Sequence, residues 1–325
     1  MQCPRCAAAL PDDDLFCETC GVRLGPSGEL PAEPAVCACG APASEIDDDG
    51  FCSRCGHRAR RPATDHIETV LSPVFAAVSD RGLKHSRNED RFGIRQNSGC
   101  ACVVCDGVSS SRESELASSA VSETVADVLH AALQKGTISD TEAAMRRAIA
   151  AGEATLAAHP AHDANDNPPS TTVVAALVAD ETVTVGWVGD SRAYWIGAEG
   201  ARQLTSDHSW MNAVVSAGEM TVEEAEKSPQ AHAITRWLGA DAGENSAADT
   251  AQFRIPGPGI LLLCTDGLWN YAASPEAMAR LVQEADGAGE DALAVARKLI
   301  EFAITQGGQD NITAIVLRWK PRETN

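Results

Sequence analysis

Residues 101–111 read ACVVCDGVSSS, an apolar run that ends abruptly in Asp106-Gly107. The run has the small and β-branched residues of a buried strand, and a helical pattern follows the serines. An Asp-Gly pair at a strand end is most often a turn. It also places a carboxylate at a strand edge, where it can serve as a ligand. Patterns elsewhere in the chain are needed to distinguish a turn from a ligand at Asp106.

The same arrangement recurs along the chain. Asp190, Asp266 and Asp310 also lie at an edge of an apolar strand, in VGDSR, CTDG and QDN. Carboxylates that a fold brings together cannot stay unpaired, and clustered oxygen ligands select Mg²⁺ or Mn²⁺ over zinc. On this pattern alone, a carboxylate metal site and a set of turns are equally open.

Strand patterns alternate with helical patterns from about residue 73 onward. The predicted strands are VFAAVSD, CACVVCDG, TTVVAALVAD, TVTVGWVGDSRAYWI, GILLLCTDG and NITAIVLRW. Helical spacing of apolar residues predicts helices over 112–135, 140–159 and 290–306. Because strands and helices occur in groups, the pattern favours an α+β fold over a parallel βαβ sheet.

The first 58 residues are rich in cysteine. Eight of the 12 cysteines lie in the first 55 residues, and clustered thiols in a cytosolic protein indicate metal binding rather than disulfides. A redox CxxC pair is the alternative, and it lacks the strand-helix context of a thioredoxin motif. We therefore predict two structural Zn²⁺ ions, each held by four thiolates. The two sets are Cys3, Cys6, Cys17 and Cys20, and Cys37, Cys39, Cys52 and Cys55.

These patterns predict a domain organisation and a cellular location. Residues 1–58 form a double zinc ribbon, residues 59–72 a linker, and residues 73–320 the main domain. The formal net charge of -20 disfavours nucleic acid and anionic membrane surfaces as partners. No apolar run approaches the roughly 20 residues of a membrane span, and the N-terminus lacks signal-peptide features. A cytoplasmic protein is therefore expected.

Eight stretches of the main domain resemble, in family order, the metal-dependent PPM protein phosphatases, the protein phosphatase 2C family. They are SDRGLKHSRNEDRF (79–92), VVCDGVSSS (103–111), STTVVAALV (170–178), VGDSRAYWI (188–196), LTSDHS (204–209), ITRWLG (234–239), LLLCTDGLWN (261–270) and GGQDNITAIV (307–316). The resemblance implies a four-layer αββα sandwich, in which two antiparallel sheets are flanked by helices. It also implies two Mn²⁺ or Mg²⁺ ions in the cleft between the sheets.

The resemblance further implies roles for individual residues. Asp106 bridges both metals and the Gly107 carbonyl ligates one of them, while Asp266 and Asp310 hold the other. The remaining implied metal contacts are Glu89 and Asp90, through bound waters, and Asp190, on a weak third ion. A hydroxide bridging the metals would attack phosphorus directly.

Three positions depart from the family pattern. His85 stands where many relatives carry a phosphate-gripping arginine, which leaves His85 as the first candidate for phosphate binding, Arg87 as the second and Lys84 as a third. Val108, Ser109 and Ser110 follow Asp106-Gly107 where some relatives have a histidine that can act as a general acid. Asn270 replaces an aspartate that helps to hold the third ion.

The leading hypothesis is a phosphoserine/phosphothreonine protein phosphatase. Its expected partners are phosphoproteins and a Ser/Thr protein kinase, and the zinc ribbons, which resemble modules at the ends of many prokaryotic proteins, serve in docking or regulation. Two alternatives stay open. One is a regulatory phosphatase dedicated to a single phosphoprotein, such as an anti-sigma-factor antagonist. The other is a non-catalytic scaffold that only senses phosphate.

Overall fold

A computed structural model of the chain divides it into two compact units, Met1–Asp65 and His66–Asn325. It describes residues 37, 39–46, 51–56, 59, 62–136, 140–158, 167–239, 242–287 and 289–320. In the described part of the first unit, Cys37 and Cys52 form a small buried cluster with Ala41. A short helix, α1 (Pro62–Asp65), ends this unit.

The described part of the second unit contains eleven strands in two antiparallel sheets. Their bounds are β1 (His66–Ser72), β2 (Phe75–Asp80), β3 (Arg91–Gln96), β4 (Cys100–Cys105), β5 (Val173–Ala179), β6 (Thr182–Val188), β7 (Arg192–Gly197), β8 (Gly200–Gln203), β9 (Asp249–Arg254), β10 (Gly259–Cys264) and β11 (Ile312–Trp319). One sheet has the order β1-β2-β11-β10-β7-β8 and is called the first sheet below. The second sheet has the order β3-β4-β5-β6-β9.

Helices cover the outer face of each sheet. The helices of this unit are α2 (Ser114–Gln134), α3 (Thr141–Ala157), α4 (Trp210–Ser216), α5 (Val222–Ala225), α6 (Asp266–Trp269), α7 (Pro275–Asp286) and α8 (Ala292–Thr305). Apolar residues of α2 and α3 pack on the second sheet, and those of α7 and α8 pack on the first sheet. A third apolar cluster, which includes Phe75, Trp195 and Leu263, fills the space between the sheets. The predicted four-layer αββα sandwich is confirmed.

The three predicted helices correspond to α2, α3 and α8, within two residues at each end. Side chains define two of the starts: Asp140 accepts a hydrogen bond from the Ala143 N–H at 2.8 Å, and Asp291 accepts one from Ala294 at 2.8 Å. Such N-caps satisfy amide donors that have no partner within the helix.

One segment differs from the predicted domain bounds. Residues 66–72 fall within the range predicted as a linker, 59–72, but they form β1, the edge strand that pairs with β2. The strand alternates exposed and half-buried residues because it lies at the sheet edge, so it lacks the apolar run that identifies a central strand. Among the described residues, no helix is long and apolar enough to cross a membrane.

Candidate active site

Three aspartates lie at one end of the second sheet. Asp90 comes just before β3 and Asp106 just after β4, and the pairing of Arg91 with Cys105 puts both at the same sheet end. Strand β6 runs parallel to β4, because β5 lies antiparallel to both. Asp190 follows β6 and therefore lies at that end as well.

Asp266 and Asp310 lie at the corresponding end of the first sheet. Asp266 follows β10 and is the first residue of α6. Asp310 precedes β11, and the pairing of Cys264 with Ala314 places the end of β10 beside the start of β11. The topology thus brings the strand-edge aspartates of both sheets to one end of the sandwich.

Electrostatics shows that these carboxyl groups face one another. Burial, together with Asp310 and Asp266, raises the pKa of Asp90 to about 8. Burial and Asp310 raise the pKa of Asp266 to about 6. The pKa values of Asp106 and Asp190 are also well above their usual range because of burial and the neighbouring carboxylates. The ionised cluster therefore requires a positive charge at its centre.

Two orphaned oxygen atoms indicate where that charge lies. The Oδ1 atoms of Asp90 and Asp266 are buried and have no hydrogen-bond partner among the described residues. Each carboxyl group is held by its other oxygen: Asp90 Oδ2 accepts from Thr265 and Thr313, both at 2.8 Å. Oriented carboxylates with one free oxygen suit Mg²⁺ or Mn²⁺, which bind oxygen ligands. The site thus fits the predicted cations.

Gly107 is packed too tightly for any side chain. A Cβ atom there would come within 2.7 Å of the Ser114 carbonyl oxygen and 2.8 Å of that of Glu89. The Gly107 N–H donates to the same Glu89 carbonyl at 3.2 Å. The glycine thus lets the chain after Asp106 pass between the segment before β3 and the start of α2.

Gly107→Ala is expected to lower the free energy of unfolding by about 1–3 kcal/mol, because the methyl group meets backbone atoms that cannot rotate away. Gly257→Ala is the control, since a Cβ there meets nothing within 4 Å, and it should change stability by less than about 0.5 kcal/mol. Urea unfolding of both variants measures the difference. Equal stabilities of the two variants would contradict the close packing at Gly107.

Serine hydroxyls hold the carboxylate of Glu89. Ser109 Oγ donates to Oε2 at 2.7 Å and Ser114 Oγ donates to Oε1 at 2.5 Å. The buried Asn311 amide connects the same segment to β11. It accepts from the Glu89 N–H at 2.7 Å and donates to the carbonyls of Arg81 and Arg87 at 2.8 and 3.0 Å. The serines after Asp106-Gly107 therefore orient a carboxylate, which the sequence did not reveal.

His85 lies between two carboxylates. Its Nε2 atom is 3.1 Å from Asp310 Oδ1, and its Nδ1 atom is 3.9 Å from Glu89 Oε2. Arg87 is half-buried, and its guanidinium has no hydrogen bond or ion pair within the described part of the chain. Lys84 is exposed on the same loop.

A buried ion pair behind Asp190 escaped sequence analysis. Arg192 Nε donates to Asp207 Oδ1 at 2.9 Å, and Nη2 donates to Oδ2 at 2.6 Å. The guanidinium lies 3.6 Å from the centre of the Trp269 ring, whose indole N–H donates to the Asp190 carbonyl at 3.0 Å. Arg192 lies two residues after Asp190 in the sequence, but no sequence pattern indicates that it forms an ion pair with Asp207.

The cysteines of the main domain have a structural role. Cys100, Cys102, Cys105 and Cys264 are buried in strands, as predicted. Burial raises the pKa of Cys100 to about 11 and also raises the pKa values of the other three thiols well above their usual range. Protonated thiols are poor nucleophiles, so these residues pack as small apolar side chains.

The second cysteine set of the N-terminal unit is assembled. The Sγ atoms of Cys37, Cys39, Cys52 and Cys55 all lie within 4.8 Å of one another. The thiols of Cys39 and Cys37 are hydrogen-bonded at 3.2 Å, and this contact lowers the pKa of Cys39 to about 7, which favours the thiolate that zinc binds. The first predicted set, Cys3, Cys6, Cys17 and Cys20, lies outside the described residues.

The carboxylate cluster lies at one end of two stacked antiparallel sheets and suits divalent cations. This arrangement indicates a metal-dependent enzyme. Comparison with known families agrees. The family model of protein phosphatase 2C matches residues 83–299, and the family model of the double zinc ribbon matches residues 3–57. The chain belongs to the protein phosphatase 2C family of metal-dependent serine/threonine protein phosphatases, preceded by a double zinc ribbon.

Individual relatives support this assignment. The serine/threonine phosphatase stp of Listeria welshimeri is 30% identical over 248 residues, which cover 74% of this chain and 93% of the relative. The crystal structure of a bacterial serine phosphatase has a TM-score of 0.62 at 28% identity, covering 80% of this chain and 100% of the other.

A third comparison concerns the metals. The catalytic domain of the serine/threonine phosphatase PstP was crystallised with two manganese ions. It has a TM-score of 0.59 at 28% identity, covering 75% of this chain and 96% of that one. The predictions of a binuclear Mn²⁺ or Mg²⁺ centre and of zinc in the ribbons are confirmed.

Proposed function

We propose that this protein hydrolyses phosphoserine and phosphothreonine in other proteins. The observation that carries the proposal is the cluster of buried and half-buried aspartates at one end of the sandwich, with orphaned oxygens on Asp90 and Asp266, in a member of the protein phosphatase 2C family. Curated relatives are serine/threonine phosphatases, and the substrate class of this chain is inferred from them.

The proposed metal-holding residues come from both sheets. Asp106 and the Gly107 carbonyl serve the centre from the second sheet, and Asp266 and Asp310 serve it from the first. Glu89, Asp90 and Asp190 complete the set, with Asp190 serving a weaker third ion. When bound, the cations activate a water molecule and offset charge on the phosphoryl oxygens.

The chain's own residues hold this arrangement in place. Thr265 and Thr313 fix one oxygen of Asp90, and Asn270 donates to Asp266 Oδ2 at 3.2 Å. Asn270 therefore serves the neighbouring carboxylate, as expected if its neutral amide is a weak metal ligand. Because Ser109 and Ser114 both donate to Glu89, the serines position that carboxylate in place of providing an acid for the leaving group.

The sequence ranks His85 before Arg87 as the phosphate contact, and the contacts of His85 lead us to propose the reverse order. The imidazole of His85 faces Asp310 and Glu89, which favours a role in holding those carboxylates. Arg87 lies on the same loop, carries a permanent charge, and can present two donors to one phosphate.

Arg87→Ala is expected to raise KM for a phosphothreonine peptide by about tenfold to a hundredfold, which is the value of a charge-assisted hydrogen bond. Lys84→Ala is the control, because Lys84 is an exposed cation on the same loop, and it should change KM by less than about threefold. Steady-state kinetics of the two variants and of His85→Ala measures the effect. A raised KM in His85→Ala with an unchanged KM in Arg87→Ala would transfer the role to His85.

We propose that the zinc ribbons, residues 1–58, serve in docking or regulation. Residues 73–320, together with strand β1, form the proposed catalytic domain. Residues 1–60 contain 5 Lys and Arg against 10 Asp and Glu, a net charge of 5 - 10 = -5. This charge favours a protein partner over nucleic acid.

Deleting residues 1–58 should leave activity on a small phosphopeptide within about twofold of that of the full chain. The carboxylate cluster and strand β1 both lie C-terminal to residue 58. Zinc content should fall from two ions per chain to none. Metal analysis and a peptide assay on the same preparations check both expectations. If activity on the peptide disappears in a folded deletion variant, the ribbon is part of the catalytic unit.

Manganese-dependent hydrolysis of matched phosphothreonine, phosphoserine and phosphotyrosine peptides tests the proposed function. Release of phosphate from the first two is expected. No turnover by folded, metal-loaded protein would favour the scaffold alternative. Turnover of a single phosphoprotein and of no peptide would favour the dedicated regulator.

A further inference from the structure

The side chain of His208 lies directly against the backbone that precedes Asp190. Its Nδ1 atom accepts a hydrogen bond from the Gly189 N–H at 3.0 Å, and the backbone N–H of His208 donates to the Gly189 carbonyl at 2.9 Å. One residue therefore contacts both polar groups of Gly189. The His208 ring is nearly buried, with 9% of the side chain exposed.

Gly189 needs such an external constraint. Its φ of +112° is a conformation that side-chain-bearing residues rarely adopt, and a Cβ atom there would lie 2.5 Å from Thr172 Cβ. Glycine can adopt this conformation, but it also has the most freedom to leave it. Contacts from outside the segment therefore determine the direction in which the chain enters Asp190.

The hydrogen bonds also determine the proton position on the His208 ring. A backbone N–H can only donate, so Nδ1 must be the acceptor and the proton of the neutral ring lies on Nε2. Nε2 is 3.0 Å from Asp249 Oδ2, which is a suitable acceptor. Arg236 Nη1 lies 2.9 Å from Nε2 and 3.2 Å from the same carboxylate oxygen. Trp187 stacks against the ring at 6.2 Å between centroids.

His208 also marks the start of the long excursion between β8 and β9. Its carbonyl accepts from the Thr235 N–H at 2.8 Å, and Ser209 pairs with Ile234. The base of this excursion is thus joined to the backbone at Gly189 through a single residue. Asp190, which carries one of the buried carboxylates of the cluster, is the next residue in the chain.

We propose that His208 is a positioning residue, whose Nδ1 acceptor fixes the Gly189 backbone and thereby holds the Asp190 carboxylate in the orientation that its cation requires. The proposal rests on the proposed function of Asp190 as a ligand of the weakest divalent ion. It assigns no contact between His208 and substrate or metal. It separates the two ring nitrogens, because only Nδ1 faces Gly189.

Two variants separate the ring nitrogens. In His208→Asn, the side-chain carbonyl can take the place of Nδ1 and accept from Gly189. In His208→Gln, the amide reaches the place of Nε2 toward Asp249 and leaves the Gly189 N–H without an acceptor. Both variants remove the stacking on Trp187. A general packing role would therefore be lost equally in the two.

The measurement is a Mn²⁺ titration of the full chain in the absence of substrate, with free Mn²⁺ followed by electron paramagnetic resonance. His208→Gln should weaken the weakest Mn²⁺ site by about tenfold to a hundredfold, as expected for lost support of a ligand. His208→Asn should stay within about threefold of the wild type. Equal losses in both variants, or no loss in His208→Gln, would overturn the proposal.

Hydrogen exchange at the Gly189 amide gives a second test that does not need the Gln variant to fold. The amide should be protected in the wild type and in His208→Asn. Fast exchange in the folded wild type would overturn the proposal. Because neither measurement uses a phosphopeptide, absence of phosphatase activity would defeat the proposed function and leave the effect of His208 on Mn²⁺ affinity measurable.

Discussion

Asp106→Asn is expected to lower kcat/KM for a phosphothreonine peptide by at least about 1000-fold, or about 4 kcal/mol of transition-state stabilisation. The substitution keeps the size of the side chain and removes the negative charge that we propose holds the cations. It should not unfold the protein. Asp106 is half-buried, and desolvation and the neighbouring carboxylates raise its pKa, so the metal-free variant should be at least as stable as the metal-free wild type.

Asp180→Asn is the matched control. Asp180 follows β5 at the opposite end of the second sheet, is exposed, and has a φ of +51°. Asparagine tolerates that conformation as well as aspartate does. The control should keep kcat/KM within about twofold of the wild type. Loss of activity in Asp180→Asn, or normal activity in Asp106→Asn, would contradict the assignment of the centre.

Asp207→Asn is expected to lower the free energy of unfolding by about 3–5 kcal/mol, because it leaves the buried Arg192 guanidinium without its counter-charge. The side chains of Arg192 and Asp207 are only 9% and 6% exposed. Arg192 also stacks on Trp269, which donates to the Asp190 carbonyl. Activity should therefore fall together with stability.

The control for this prediction is an exposed ion pair in the same domain. Arg254 and Glu181 are 3.4 Å apart, with side chains 84% and 62% exposed. Glu181→Gln should cost less than about 1 kcal/mol, because water and salt screen the pair. Chemical unfolding of both variants gives the comparison. Similar losses in the two would mean that burial does not govern the Arg192–Asp207 pair.

The sequence indicated the clustered aspartates better than the residues that support them. Asp106, Asp190, Asp266 and Asp310 stand at strand ends, and strand ends can be recognised from apolar runs and turn residues. Thr265 and Thr313 hold Asp90 from across the cleft. Thr265 is 175 residues from Asp90 in the sequence, and Thr313 is 223 residues from it. No local sequence pattern identifies hydrogen-bond partners that are so far apart.

The strands differ in the same way: central strands can be recognised from their own sequence, and edge strands depend on pairing with distant residues. Central strands such as β4 and β10 are buried on both faces and appear as continuous apolar runs. Strands β1, β3, β8 and β9 lie at sheet edges, and each is partly exposed. They contain polar residues and were not predicted, because pairing with a neighbour forms them more than their own composition does. His208 was missed for a similar reason, since its partner Gly189 is distant in sequence.

The replacement of a family histidine by Val108-Ser109-Ser110 now has a structural account. Ser109 directs its hydroxyl to Glu89, which Ser114 holds from the other side. A carboxylate that accepts two short hydrogen bonds is held in one orientation. At this position the chain therefore has a serine that orients Glu89 and no histidine.

The most direct test of the central claim is phosphate release from a phosphothreonine peptide by the full chain, after chelation and during stepwise return of Mn²⁺. The carboxylate centre predicts no turnover in chelator and recovery of turnover as Mn²⁺ is added, with none recovered in Asp106→Asn. Turnover that persists in the chelated wild type, or that Mn²⁺ restores equally in Asp106→Asn, would contradict a metal centre built on Asp106.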